Sequence, residues 1–495
     1  MAHPEWAVKF RRPGTELRRR TDKLYCLYEC SSVYDKQKKR ARKVTGKYLG
    51  SITEDGGFKP SKKRQLERQL AEALSVGADT AAPPAKVGVV KEYGFSRYIL
   101  ECQSECLESL KRHFPTDWQR IVALAYCRLR HQSPLRYVHG DFGDSYLSVK
   151  LPARGLSPNA LSGFMRSLGE DRSSILAYMK EHIGEGEHLI FDGSDILSAS
   201  RLMDYPRMSK TKIGTFDNAV NMMWIHNSTR RLPVYYRLLP GNIKDVSSFK
   251  LCLEDAGVKD GVAVVDKGFQ SAKNIETLDS MGVRFIMSLK RSTAGLDYSA
   301  FASRGNEGAD GYFTYNDRVI WWSRQQIEDH EVFLYLDEVH RIEESGDYLR
   351  RVEDQKQEGY TMESYRAKSL QFGTLALMST SGKDACEVYT DYKTRGDVEQ
   401  AIDVFKNCLE ADSSYMQNEK ALEAWMFINL IAMQWFYDLR CRLVDSKIIA
   451  KLSPLQMVRV MSRARTVNVN GKWVPAEQTK KERQQLEAIG VHITH

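Results

Sequence analysis

The sequence predicts an α/β protein: a mixed sheet flanked by helices, interrupted by a β-rich insertion and preceded by a basic N-terminal unit and a helical region. Three observations predict it. Short apolar runs such as "EHLIFDGSD", "VAVVDKGF" and "VRFIMSLK" have strand character, and the last two are separated by apolar residues at helical spacing. Three strand-like runs follow one another from Glu187 onward before strands begin to alternate with helices, which calls for a mixed sheet. A chain of 495 residues with 42% hydrophobic and 10% aromatic content can fill the cores of two to four domains.

Taken in order, residues 1–74 form the basic unit, with strand alternation over 21–53. Residues 1–64 hold 18 Lys+Arg against 7 Asp+Glu, a net +11 in a chain whose total is +9. All the excess positive charge is therefore N-terminal, where it would attract a polyanion, nucleic acid being the usual one. A solvated, solubilising segment is the alternative. Residues 75–90, including "SVGADTAAPPAKVG", read as a linker, and 91–185 as a helical region. Residues 186–290 carry the first strands of the core, 291–370 the insertion with "YFTYNDRVIWWSR" and "EVFLYLDEV", and 371–463 the rest of the core, where "TLALMST" resumes the sheet before C-terminal helices. Residues 464–495 are a polar tail.

The most apolar segment, 424–439, includes Asn429, Gln434 and Asp438 and is too short to span a bilayer, so a buried helix is expected and no membrane partner. The nine cysteines form no secreted-type framework and no signal peptide is recognisable, which points to a reducing cytoplasm. Cys26 with Cys30 and Cys102 with Cys106 suit a zinc site poorly and read as small buried hydrophobes.

Two acids close apolar strands: Asp192 after "HLIF" and Asp266 after "VAVV", each with a glycine close behind in "DGS" and "DKG". Active sites of open α/β sheets gather at strand ends. A third acid, Glu399, lies in "YKTRGDVEQAIDVFKN", where Tyr392, Arg395, Glu399 and Lys406 fall within about 60° of one another on a helix of ~100° per residue. An ordinary surface ion pair between Arg395 and Glu399 is the plainer reading of that stretch alone. Three carboxylates without clustered His or Cys suit Mg²⁺ or Mn²⁺, and two such ions can drive in-line displacement at a phosphodiester. Asp195 and Asp245 are nearby carboxylates that read as capping or structural.

These pieces resemble a bacterial insertion-sequence transposase with an RNase H-like DDE core, of insertion sequence family four. That family's signature, Tyr-x2-Arg-x3-Glu-x6-Lys, is matched without a spacing error by Tyr392, Arg395, Glu399 and Lys406. Its two Asp turns are matched by Asp192-Gly193-Ser194 and by Asp266 with Gly268 and Phe269, and "LPGNIKDVSSF" resembles its P-G-N-x-x-D stretch.

The resemblance implies an RNase H-like fold in which Asp192, Asp266 and Glu399 hold two Mg²⁺ (or Mn²⁺), while Tyr392, Arg395 and Lys406 contact phosphates near the transposon end. It implies cleavage at the terminal inverted repeats and strand transfer into target DNA, by a homodimer on paired ends in the bacterial cytoplasm and nucleoid. It further offers Trp321 or Trp322 as a platform for a flipped base, one of the two being core. Lys210 and Lys212 would add phosphate contacts unless their loop is simply solvated. A catalytically retired DNA-binding form and an RNase H-like nuclease without strand transfer are the competing readings.

Overall fold

Leu17 faces Leu27 and Tyr25 faces Ile52 across antiparallel strand pairs, and with Leu49 these side chains make the small core of an N-terminal sheet. The structure, a computed structural model, describes residues 3–35, 40–61, 87–184, 186–210, 216–241, 245–258, 261–354 and 359–493. They fall into two compact units, Met1–Val87 and Gly88–His495. The first is the sheet β1 (Thr15–Thr21), β2 (Leu24–Asp35), β3 (Arg40–Thr53) and β4 (Gly57–Pro60), paired in that order. Arg18, Arg19, Arg20 and Lys23 stay exposed on it. Most of the expected linker lies outside the described residues.

The second unit opens with β5 (Val87–Glu92) and helices α1 (Gly94–Cys102), α2 (Ser104–His113), α3 (Trp118–His131), α4 (Pro158–Glu170) and α5 (Arg172–Ile183). Within the expected helical region, α1 and α2 are separated by a break at Gln103. Glu92 is buried, and its carboxylate accepts from the Phe95 amide at 2.6 Å, the Ser96 hydroxyl at 2.7 Å and the Tyr126 hydroxyl at 2.8 Å. Burial pushes its pKa up, and these donors together with the Arg130 charge offset part of the rise.

The central sheet follows. Its strands are β6 (His188–Ser198), β7 (Arg207–Lys210), β8 (Phe216–Asn227), β9 (Leu232–Pro240), β10 (Val262–Val265), β11 (Arg284–Ser288), β12 (Gly311–Tyr315), β13 (Arg318–Ile327), β14 (His330–Asp337), β15 (Thr374–Ser379) and β16 (Ser413–Ser414). They lie in the order β12-β13-β14-β15-β11-β10-β6-β8-β7, with β9 also on β8 and β16 also on β6. β10 runs parallel to β6 and β11, and the remaining pairs of the main path are antiparallel. A large mixed sheet flanked by helices is thus the architecture.

Helices α6 (Asp245–Ala256) and α7 (Ala272–Ser280) connect the sheet's strands. The segment 291–370, expected to be β-rich, holds β12, β13 and β14 but also α8 (Glu338–Asp354) and α9 (Met362–Lys368). Its strands extend the central sheet, because the apolar β14 (Val332 to Leu336) pairs with β15 along its length.

After α10 (Ala385–Lys393) and α11 (Gly396–Asp403) comes α12 (Glu419–Asp445), apolar on nearly every face and packed against α3, α4 and β9. Among the described residues no helix is long and apolar enough to cross a membrane. Arg128 of α3 ties itself to α12 through Asn429 Oδ1 at 3.0 Å, and Gly169 of α4 lies where a Cβ would overlap the Lys420 carbonyl oxygen. After α13 (Pro454–Arg463), the stretch expected as a polar tail is folded: β17 (Arg465–Val469) and β18 (Lys472–Pro475) join β5, and α14 (Lys480–Ala488) is followed by buried Ile489 and Val491. Its few apolar residues are spaced for anchoring, which mean polarity concealed.

Gly169→Ala should destabilise the second unit by about 1–3 kcal/mol, because the added methyl must displace backbone, although alanine is the better helix former. Urea unfolding monitored by circular dichroism checks it. His226 on β8 is buried with no partner for either ring nitrogen among the described residues, and burial, reinforced by the Arg440 charge, lowers its pKa to about 3. The unfolded chain takes up this proton first, so the contribution of neutral His226 is complete above pH ~6.5 and is lost as pH falls from there toward 3. His226→Leu should therefore gain stability relative to the native chain on the order of 5 kcal/mol across that window, read as the pH dependence of the difference in unfolding free energy.

Candidate active site

Parallel pairing of β6 with β10 sets Phe191 opposite Val265, so the next residues on the two strands, Asp192 and Asp266, are neighbours. Asp266 ends its strand as expected and opens a 3₁₀ turn over Lys267–Phe269. Asp192 does not end its strand: β6 runs on to Ser198, because β8 pairs with it through Leu197. The glycine in "DGS" is therefore a strand residue, and its amide donates to Asp192 Oδ1 at 2.9 Å.

The signature segment is not one continuous helix. Tyr392 sits in the last turn of α10, the chain tightens at Thr394 and Arg395, Glu399 lies in α11, and Lys406 is in a π-helical turn over Val404–Cys408. Amides of Arg395, Asp397 and Val398 bond three residues back, at 3.0, 2.8 and 3.2 Å, which accounts for the break. The apolar stripe stands: Val398, Ala401, Ile402, Phe405 and Leu409 are buried.

Asp192, Asp266, Glu399, Arg395 and Ile402 line one cleft of about 270 Å³. Within it the Arg395 guanidinium bridges two acids, with Nη2 2.7 Å from Glu399 Oε1 and Nη1 3.5 Å from Asp266 Oδ2. Burial alone would lower the Arg395 pKa, but Tyr392, Asp266, Glu399 and Asp192 together raise it. Two hydroxyls face Asp266 Oδ1, Ser288 Oγ at 3.3 Å and Tyr392 Oη at 3.4 Å. Burial pushes the Tyr392 pKa up, keeping the phenol protonated and able to donate. Lys406 reaches Asp195 at 2.6 Å, so Asp195, expected as a capping or structural acid, pairs with the signature lysine.

Among the described residues no three His, Cys, Asp or Glu side chains stand as a ready metal-binding group. The cleft's donor set is nevertheless all carboxylate oxygen and suits a hard divalent cation, with Arg395 as the cation now between Asp266 and Glu399.

Trp321 and Trp322 point to opposite faces of β13, and neither is core: both are half-buried. Trp321 rests on the exposed Tyr312, ring centres 5.3 Å apart. Trp322 lines a pocket of about 530 Å³ with Phe313, Arg324, Phe333 and Lys383, and pairs in register with Tyr335. Lys210 ends β7, and Lys212 lies outside the described residues, as does part of the P-G-N-x-x-D stretch. Ser288 and Asp195 were missed as site residues; Ser288 carries no motif, and only Asp195's position three residues after Asp192 could have drawn notice.

A cryo-EM structure of the piggyBac transposase synaptic complex with hairpin DNA is similar over 75% of this chain and 79% of that chain, at 11% identity and a TM-score of 0.38. No curated protein matches. A family model described as the transposase DDE domain matches residues 183–435, a span that holds all three cleft carboxylates and the whole signature segment, and the chain belongs to that family.

Proposed function

We propose that this transposase-family chain cleaves a phosphodiester at a transposon end and joins the freed 3′-OH to target DNA, using Asp192, Asp266 and Glu399 in an RNase H-like core and acting as a dimer on paired ends. The observation that supports this reading is the meeting of those three acids, from β6, β10 and α11, in one cleft within the family match. Two Mg²⁺ or Mn²⁺ ions held by these carboxylates would supply an activated water or hydroxyl and charge neutralisation at the leaving oxygen.

The chain's own side chains do the rest. Tyr392 and Ser288 orient the Asp266 carboxylate through its Oδ1 edge. Arg395, whose planar fork suits bidentate phosphate contact, exchanges its carboxylates for a phosphate of the bound end. Lys406 makes the same exchange, leaving Asp195 for a phosphate. Of the tryptophans, Trp322 is the better base platform, since it shares its sheet face with Tyr335, which lines the wider cleft beside Asp266. The exposed arginines of β1 supply sequence-independent attraction to the DNA backbone.

Glu399→Gln should remove Mg²⁺-dependent cutting of labelled transposon-end DNA, a loss of several kcal/mol of transition-state stabilisation, on the order expected when a metal ligand goes. Binding of the same DNA by mobility shift should be retained or tightened, because Arg395 is released. Cutting at the native rate would remove Glu399 from the reaction. Trp322→Ala should impair end processing at a cost of about 1–3 kcal/mol, as expected for one stacked base, while Trp321→Ala is silent in the same assay. The reverse pattern would move the platform to the other face.

A further inference from the structure

The carboxylate cleft does not end at Asp266. It adjoins a second, larger cleft of about 1050 Å³, and the two share Asp266 and Arg395. The far side of this larger cleft is formed by Arg318 of β13, Asp337 of β14, and His340 and Glu344 of α8. Six Lys and Arg side chains line it against three Asp and Glu.

The three arginines are already matched. Arg291 pairs with Glu344 at 2.9 Å, Arg318 with Asp337 at 3.1 Å, and Arg395 with Asp266 and Glu399. Three lysines remain. Lys267 follows Asp266, and Lys290 follows β11; both are exposed and have no ion-pair partner among the described residues. Lys393 ends α10 with its Nζ 4.9 Å from the centre of the Tyr389 ring. Tyr335, Tyr389 and Tyr392 line the cleft but are each under 10% exposed, so their faces are not open for stacking and the low-dielectric wall strengthens the field of the lysines above it. Ammonium groups without a carboxylate partner, in a cleft whose rings are sealed, suit phosphate and not bases.

We propose that this cleft is a binding site for the sugar-phosphate backbone of a DNA strand continuing past the scissile phosphodiester, held by Lys267, Lys290 and Lys393. The proposal rests on the DNA-cleaving reading of the smaller cleft. It assigns contacts to three lysines outside the four-residue signature, and it makes the C-terminal ends of β10 and β11 the path along which the strand leaves the acids.

The test compares the full-length native chain with K267Q/K290Q/K393Q and with K472Q/K480Q/K481Q, a control that removes the same charge from exposed positions of the C-terminal segment. Binding of a fluorescein-labelled random-sequence duplex is followed by anisotropy over a salt series. The cleft variant should show a slope of log Kobs against log salt shallower by about 2–3, at roughly 0.9 per lost phosphate contact, and the control none. Equal changes in both variants, or none in the cleft variant, overturn the proposal. So does displacement of the duplex by inorganic phosphate at matched phosphate concentration, which would make the cleft a small-anion site.

If the triple variant unfolds at a lower temperature than the native chain, K267Q and K290Q singly carry the test, each with a slope change of about 0.9. Native protein that cuts end DNA beside a cleft variant of unchanged slope leaves the transposase mechanism standing and removes the cleft. A cleft-dependent slope in a protein that never cuts does the opposite.

Discussion

Three carboxylates sharing one small cleft repel one another unless a proton or a counter-charge offsets them, and in this chain part of that counter-charge is the guanidinium of Arg395. The arrangement around it follows. Arg395 sits at the tightened turn between α10 and α11, so its bonds to Asp266 and Glu399 fasten the start of α11 to the end of β10. Lys406 repeats the device one helical segment later by fastening the π-helical turn to β6 through Asp195. The same cations that hold the acids in this state are those proposed to take phosphates when DNA arrives. Substrate binding and unveiling of the acids would then be one exchange of ion-pair partners.

Residue chemistry made the candidate acids legible in the sequence. Strand-ending acids and an acid among Tyr, Arg and Lys at fixed offsets indicated which side chains belonged together, and Asp192, Asp266, Arg395 and Glu399 do share a cleft. Backbone detail was not legible. The offsets of 392, 395, 399 and 406 fit a smooth helix, yet the chain breaks at Thr394 and passes into a π-helical turn at Val404, with Arg395 and Lys406 ion-paired to two different strands that helical periodicity does not encode. Asp192 misled in the same way: an acid and a glycine after an apolar run look like a strand end, but pairing with β8 carries the strand onward.

The fold was read well where burial was one-sided or complete. The predominantly apolar 424–439 stretch does become the buried part of α12, and "TLALMST" does resume the sheet as β15. It was read poorly where long-range partners lend order to polar sequence. Asn470-Gly471 between alternating apolar residues is a hairpin signal that the polar composition of 464–495 outweighed, and β5, hundreds of residues earlier, supplies the strand beside the resulting β17–β18 pair. Trp321 and Trp322 show an intermediate case: alternation separated their faces, but where one was expected to be core both are half-buried, Trp322 at the wall of an open pocket.

That β12, β13 and β14 are hydrogen-bonded into the central sheet has a consequence for how the chain tolerates change. The segment from 291 to 370 cannot be treated as a removable lobe. β15 is held by β11 on one side and by β14 on the other. Excising the segment would strip one whole side of a strand made of Leu375, Ala376, Leu377 and Met378, exposing a row of unpaired amides and carbonyls on an apolar ribbon. Such an edge recruits other chains, so the shortened protein would be expected to meet its own copies before it met DNA.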